Sequence, residues 1–113
     1  MPYIDASISK KLDSNQTELL KKEFGKAITS IPGKSEAHLM IKISDNQTMC
    51  FAGSNDDCAM IQVELFGSCS KDACQSFTGI ICSLVNDITG IPLSRIYVNF
   101  RFVDIWGMSG FLF

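Results

Sequence analysis

The sequence predicts an α+β fold in which two β-α-β repeats form a four-stranded mixed sheet with two helices on one face. Three observations lead to this prediction. Two segments carry apolar residues at helical spacing, four others alternate as strands do, and the two halves of the chain repeat. At 113 residues the chain has the length of one domain, so we expect a single domain over residues 1–113.

The first unit begins with a strand, because apolar residues alternate with polar ones through Ile4–Ile8. A helix follows, starting near Asp13 or Ser14, and Gln16 stands where a capping box needs a polar side chain. Pro32–Gly33 ends this helix, since neither residue continues a helix well. Its apolar stripe consists of Leu19, Leu20, Phe24, Ala27, Ile28 and Ile31.

The second helix is predicted to start after Ser70 and to end at Gly90, with Pro92 just beyond it. Its stripe consists of Phe77, Ile80, Ile81, Leu84, Val85 and Ile88. Alternation predicts the remaining strands over Leu39–Ile43, Ile61–Leu65 and Ile96–Phe100, and a short apolar piece predicts a brief fifth strand over Met49–Ala52.

An internal repeat connects these elements. One ungapped shift of 57 residues carries Ile4 onto Ile61 and Gly33 onto Gly90, and it also aligns the helix caps, the helical stripes and the later strands. We place the two repeats at roughly residues 2–45 and 59–102. Parallel strands of a β-α-β unit need a right-handed crossover, so two such units side by side put both helices on one face.

The opposite face of the predicted sheet mixes charged, amide and large apolar side chains, which is typical of a subunit interface or a binding site. By alternation it carries Tyr3, Asp5, Ser7, His38, Met40, Lys42, Met60, Gln62, Glu64, Phe66, Tyr97, Asn99 and Arg101. The C-terminal tail, residues 103–113, holds several large apolar side chains at a chain end. We predict that this tail packs on a neighbouring subunit.

Composition argues against several classes of function. Ten Lys and Arg oppose twelve Asp and Glu without any basic run, so we expect no nucleic-acid partner. No apolar run is long enough to span a membrane and no signal-peptide pattern is present, so we expect a cytoplasmic protein without membrane association. The five cysteines lack framework spacing and His38 is the one histidine, so we expect neither a metal site nor a cofactor.

Several short motifs stand at fixed spacing along the chain: Met1–Pro2, Gly33–Lys34, Met49–Ser54, Arg95–Asn99 and Trp106–Phe113. Together they resemble the macrophage migration inhibitory factor family, which opens its first strand with Met-Pro and carries a Gly-Lys at the mouth of its active site. No single motif is specific alone, but the set covers essentially the whole chain. The resemblance implies the fold of that family and a trimeric assembly.

Pro2 is the candidate catalytic residue. Methionine before a small residue is normally cleaved, and its removal would leave the secondary amine of Pro2 at the chain start. A free α-amine has a pKa of about 7.7 to 8.0, which desolvation and nearby positive charge lower further, giving a base suited to neutral pH. The resemblance implies a keto–enol tautomerase of the phenylpyruvate or dopachrome type, an isomerase activity conditional on removal of Met1.

The resemblance also implies residues around the substrate. The Lys34 ammonium suits a substrate carboxylate or a developing enolate, although a surface lysine near a helix C-terminus is a strong alternative. Tyr97 and Asn99 share one face of their strand, and the resemblance places them in the active site of the adjacent subunit of a homotrimer. Apolar walls would come from Phe66, Trp106 and Met108.

Two functions from different classes stay open at this stage. The first is a tautomerase that acts on a small aromatic keto or enol acid within its own cell. The second is a cytokine-like protein that binds a host receptor and whose catalysis is vestigial. The family is exported without a signal peptide, so the lack of one does not decide between them. An unrelated ferredoxin-like binding domain would not account for the aligned motifs.

A cysteine motif of the mammalian cytokine is incomplete in this chain. That motif, Cys-Ala-Leu-Cys, is linked to thiol-oxidoreductase activity, whereas Cys58–Ile61 reads Cys-Ala-Met-Ile. We therefore predict no such activity from this segment. Cys69 and Cys74 are spaced too widely along the chain to restore the motif.

Overall fold

A computed structural model describes all residues of the chain, Met1–Phe113. The main elements are β1 (Pro2–Ile8), α1 (Ser14–Ala27), β2 (Met40–Ser44), β3 (Ala59–Phe66), α2 (Lys71–Thr89), β4 (Ile96–Val103), β5 (Gly107–Met108) and β6 (Phe111–Leu112). Short 3-10 turns lie at Ile28–Ser30, Glu36–His38 and Leu93–Arg95. Neither helix is both long enough and apolar enough to cross a membrane.

Four strands form one mixed sheet in the order β2-β1-β3-β4. Strands β1 and β2 run parallel, as do β3 and β4, while β1 and β3 run antiparallel and join the two β-α-β units at the centre. This arrangement confirms the predicted α+β fold. The edge strands β2 and β4 each have one side without a hydrogen-bonding neighbour, which leaves that side open to another chain.

The hydrophobic core lies between the helices and one face of the sheet. The fully buried side chains include Ile4 on β1 and Val63 on β3, together with Phe24 on α1 and Phe77 on α2. Each large side chain buried in this way contributes roughly 1.5–3 kcal/mol relative to exposure to water. Both helices therefore occupy the same face, and the alternate strand residues project from the other.

Both helices begin and end at residues that satisfy their free backbone groups. The Asp13 carboxylate accepts from the Gln16 N–H at 2.8 Å, and the Gln16 side chain accepts from the Asp13 N–H at 3.0 Å. Ser70 caps α2 by accepting from the Ala73 N–H at 3.1 Å. Gly90 ends α2 in the left-handed conformation, with φ of 80°. The predicted caps of both helices and the predicted stop of α2 are confirmed.

Two residues of the predicted helical stripes do not belong to the core. Leu19 is 43% exposed and Ile80 is 40% exposed, because each lies at the margin of an apolar stripe that is narrower than expected. Helix α1 also ends earlier than predicted, at Ala27, and the chain continues as a 3-10 turn before Pro32. Tightening of a last helical turn in this way is common.

The brief fifth strand predicted over Met49–Ala52 is absent. Phe51 and Ser54 instead form an isolated bridge around a turn, in which Ala52 and Gly53 have φ of 54° and 73°. Positive φ at both central residues defines a tight turn that reverses the chain. This reversal prevents the apolar piece from continuing as a strand.

The C-terminal tail folds back on itself as a hairpin of β5 and β6, which sequence analysis did not anticipate. Ser109 and Gly110 form its turn with φ of 53° and 83°, and Met108 pairs with Phe111. The Phe113 N–H donates to the Trp106 carbonyl at 2.9 Å. Phe111 is still 74% exposed, so the hairpin fixes the tail without covering its apolar side chains.

Two glycines at α2 provide a matched test of the fold. A methyl group at Gly79 meets no atom within 4 Å, whereas Gly90 has a positive φ. We expect Gly79→Ala to stabilise the protein by up to about 1 kcal/mol, because alanine favours a helix interior. Gly90→Ala should destabilise it by about 1–2 kcal/mol, because Cβ clashes in the left-handed conformation. Urea unfolding at one protein concentration measures the free energy of unfolding of both variants. Equal changes for the two variants would contradict the left-handed conformation assigned to Gly90.

Candidate active site

A cleft of about 320 Å³ opens at the start of β1, at the edge where β1, β2 and β3 meet the tail. The register explains its position. Tyr3 pairs with Met40 at the start of β2, and it pairs on its other side with Glu64 near the end of β3. The cleft is lined by Met1, Pro2, Tyr3, His38, Met40, Glu64, Trp106, Gly107 and Met108.

The first residues of the chain are held firmly in this cleft. Pro2 is buried and pairs with Leu65 of β3, and the Met1 carbonyl accepts from the Phe66 N–H at 3.1 Å. A proline at the first position of a strand has no N–H to leave unsatisfied. The chain start is therefore anchored at the centre of the sheet, between two strands.

Lys34 lies beside the chain start. Gly33, at φ of 77°, turns the chain after the 3-10 segment, and the Lys34 Nζ donates to the Phe66 carbonyl at 3.0 Å. Partial burial lowers the pKa of the Met1 amino group, and the charge of Lys34 and a hydrogen bond with it lower that pKa further. Lys34 therefore lies close enough to the chain start for its charge to act on the Met1 amine, and its role toward a substrate stays a prediction.

The structure brings together only some of the predicted site residues. Pro2, Trp106 and Met108 line the cleft, and Lys34 adjoins it through the chain start. Phe66 contributes its carbonyl to Lys34 but its side chain does not line the cleft.

Tyr97 and Asn99 lie away from the cleft of their own chain. Tyr97 pairs with Met60, which pairs with Ser7 at the far end of β1 from Pro2, and Asn99 lies two residues further along β4. Both side chains are exposed on the open sheet face. Within one chain they therefore do not reach Pro2.

Tyr97 instead borders an apolar pocket of about 420 Å³. Its ring packs on Phe51 with 4.6 Å between centroids. The other residues around this pocket are Met49, Cys50, Ala52, Cys58, Ala59 and Met60. The pocket lies at the other end of the open sheet face from the cleft.

Arg95 fixes the loop that forms this pocket. Its guanidinium lies 5.2 Å from the Phe51 ring centroid, and Nη2 donates to the Phe51, Ser54 and Asp56 carbonyls at 3.1, 3.2 and 2.9 Å. Nε donates to the Asp57 carbonyl at 3.0 Å. A single planar donor group thus holds four backbone carbonyls and keeps Phe51 against Tyr97.

Besides Met1 and Gly107, four residues line the cleft that were not predicted to belong to it: Tyr3, His38, Met40 and Glu64. Alternation had already placed them on the open sheet face. The sequence pattern does not give the register between strands. Only the pairing of β1 with β2 and β3 shows that these residues surround the chain start. Glu64 also approaches Arg101, with 3.8 Å between Oε1 and Nη1.

Cys69 lies just outside the start of α2, and Cys74 lies in its first turn. Burial, together with the neighbouring Cys69, raises the pKa of Cys74 to about 11. That these two cysteines do not restore the Cys-Ala-Leu-Cys motif stays a prediction. No group of three His, Cys, Asp or Glu side chains is arranged to hold a metal ion.

Comparison with known proteins identifies relatives along the whole chain. The family model described as macrophage migration inhibitory factor (MIF) matches residues 1–111. A macrophage migration inhibitory factor homolog of Brugia malayi is 30% identical over 109 residues, covering 96% of this chain and 92% of the relative.

Solved structures agree with the sequence comparison. The crystal structure of MIF2 from Leishmania major superposes with a TM-score of 0.93 at 28% identity, covering 100% of this chain and 97% of the other. Macrophage migration inhibitory factor of Toxoplasma gondii superposes with a TM-score of 0.91 at 25% identity, covering 98% and 99%. The sheet, the helices and the tail therefore follow an architecture that is already known.

Proposed function

Because the chain belongs to the macrophage migration inhibitory factor family, we propose that it is a keto–enol tautomerase whose general base is the Pro2 amine, freed by removal of Met1. The observation that carries the proposal is the position of the chain start. It lies buried in a cleft, and the Lys34 ammonium is close enough to lower the pKa of the terminal amine. The same surroundings would lower the pKa of a Pro2 amine at the chain start, and a lowered pKa increases the neutral fraction that can accept a proton.

The proposed reaction moves one proton between carbon and oxygen. The neutral Pro2 amine takes the proton from the carbon next to the keto group of the substrate, and negative charge develops on the carbonyl oxygen as the enolate forms. Protonation of that oxygen gives the enol, and loss of the proton from Pro2 restores the base. Lys34 binds the substrate carboxylate or stabilises the enolate oxygen by its charge.

The walls of the cleft favour a small aromatic keto or enol acid. A volume of about 320 Å³ lies at the lower end of the range for small-molecule sites. Trp106, Met108 and Met40 present apolar surface, and Lys34 provides one positive charge for an acidic group. Phe66 is proposed as a further wall, once its side chain is covered in an assembly.

A homotrimer with intersubunit sites would complete this cleft. Met40 is 68% exposed and Tyr97 is 60% exposed on the open sheet face, and the edges of β2 and β4 are unpaired. Large apolar side chains left in water favour association. We propose that Tyr97 and Asn99 of one subunit approach Pro2 of the next, and that the tail hairpin packs on the same neighbour.

The second candidate is a cytokine-like protein that binds a host receptor, with export that needs no signal peptide. Family membership supports it as well as it supports the enzyme. The two differ in what they require of Pro2, because receptor binding does not need a free amine.

The first test is the tautomerisation of phenylpyruvate by protein whose terminus is verified as Pro2 by mass spectrometry. We expect turnover that falls by about 10²–10⁴-fold in Pro2→Gly and in protein that retains Met1, because both alter the base. Light scattering and circular dichroism on the same samples control for assembly and folding. Activity that persists with Met1 in place would contradict the proposed base, and an inactive, well-folded Pro2 form would favour receptor binding.

The second test mixes two inactive variants, Pro2→Gly and Asn99→Ala, and reassembles them at equal amounts. If each site takes Pro2 and Asn99 from different subunits, about a quarter of the sites regain both residues. We therefore expect activity to return to about a quarter of the unmodified level. A mixture as inactive as its components would mean that each site uses residues of a single chain.

A further inference from the structure

One charged side chain of the cleft has no part in the proposed reaction. Lys34 is assigned to the acid group of the substrate, whereas Glu64 lines the same cleft without a role. Glu64 is the one acidic residue among those that line the cleft, and its side chain is 35% exposed. A carboxylate at the wall of a cavity loses water when a ligand enters, so the ligand must supply a partner for it.

The register between strands fixes the place of Glu64 in the cleft. Glu64 pairs with Tyr3 of β1 on one side and with Arg101 of β4 on the other, so the three residues form one row across the open sheet face. Lys34 lies at the edge of the sheet beyond this row, because its Nζ donates to the carbonyl of Phe66. Two strand residues span about 7 Å. The positive and negative groups therefore lie at different places along β3.

Arg101 holds the Glu64 carboxylate in place but does not use up its hydrogen-bonding capacity. The Arg101 Nη1 lies 3.8 Å from the Glu64 Oε1, which is an ion-pair distance and too long for a hydrogen bond. The Arg101 side chain is 74% exposed, so water screens its charge. Both side chains also line a second cavity, of about 210 Å³, between β3 and β4. Glu64 thus borders two cavities and keeps oxygen lone pairs for a ligand.

We propose that Glu64 is a specificity-determining residue of the cleft, which selects aryl acids that carry a hydrogen-bond donor on the ring and rejects those that carry a second carboxylate there. The inference rests on the proposed function, because it takes the Lys34 ammonium as the partner of the first carboxylate. A ring hydroxyl donates to the Glu64 carboxylate, and a charged acceptor gives the stronger class of hydrogen bond. A second carboxylate has no proton to donate and meets like charge.

The other side chains around the cleft do not provide this discrimination. Met40 and Trp106 present mainly carbon surface, against which a polar ring group would lose its hydrogen bonds to water. Tyr3 and His38 are the remaining polar side chains, and neither carries a negative charge at neutral pH. The rejection of a second anionic group therefore depends on Glu64.

The test measures the binding of three acids that resemble phenylpyruvate but lack its keto group: 3-phenylpropionate and its 4-hydroxy and 4-carboxy derivatives. Isothermal titration calorimetry on assembled protein with a verified Pro2 terminus gives each dissociation constant. Relative to the unsubstituted acid, we expect the 4-hydroxy acid to bind about tenfold more tightly and the 4-carboxy acid about tenfold more weakly. In Glu64→Gln, which is neutral and of similar shape, the penalty against the 4-carboxy acid should disappear.

Glu18→Gln is the matched control, because Glu18 also pairs with a basic residue, Lys21, but lies on α1 and does not line the cleft. It should leave all three dissociation constants unchanged. Arg101→Gln is an independent measurement that stands should Glu64→Gln fail to assemble. Removal of this positive charge should weaken binding of the 4-carboxy acid by a further factor of about three, the opposite direction to Glu64→Gln. Light scattering and circular dichroism verify each variant.

Affinity ratios that stay the same in Glu64→Gln, or a 4-carboxy acid that binds as well as the unsubstituted one, would overturn the role of Glu64. Turnover of phenylpyruvate by the same samples separates this outcome from failure of the proposed function. Unchanged ratios in protein that turns over phenylpyruvate count against Glu64 alone, whereas the expected ratios without turnover count against the tautomerase alone. Failure of all three acids to bind would overturn both.

Discussion

The antiparallel pairing of β1 with β3 is the constraint on which the rest of the structure depends. It joins the two β-α-β units into one sheet, and it places β1 between two hydrogen-bonding neighbours. As a result Pro2 lies buried opposite Leu65. On a strand at the edge of the sheet it would have a neighbour on one side only. The same pairing carries Phe66 to the chain start, where its backbone holds both Met1 and Lys34.

A base at the chain terminus depends on this anchoring. A terminal amine in water is mobile and solvated, whereas here partial burial and the Lys34 charge both lower the pKa of the Met1 amine, one residue before Pro2. The backbone carbonyl of Phe66 keeps Lys34 in position, so the electrostatic effect does not depend on a freely moving side chain. Arg95 plays a comparable part at the far end of the sheet, where it holds Phe51 against Tyr97.

Sequence reasoning predicted the features that local patterns and the repeat determine. Asp13 and Ser70 are caps, and the four alternating segments form strands, because these preferences act within a few residues. The sequence patterns did not predict the turns in which a residue other than glycine has a positive φ, since such residues rarely adopt that conformation. Ala52 turns a predicted strand into a loop, and Ser109 closes the tail hairpin.

The sequence also could not predict contacts that depend on the register between strands. His38 and Glu64 surround the chain start only because β1 pairs with two strands. Spacing along the chain does not show this proximity. Tyr97 and Asn99 were proposed from family motifs, and their separation from Pro2 within one chain is consistent with a site that needs a second subunit.

The most direct measurement is the pKa of the Pro2 amine in protein that lacks Met1, followed by ¹⁵N nuclear magnetic resonance as pH is varied. The account predicts a pKa below the ordinary α-amine range of about 7.7–8.0, and a higher pKa in Lys34→Met, since removal of a positive charge favours the ammonium. Lys22→Met, on the exposed face of α1, should leave it unchanged. An ordinary pKa that does not respond to Lys34→Met would contradict the role assigned to the chain start.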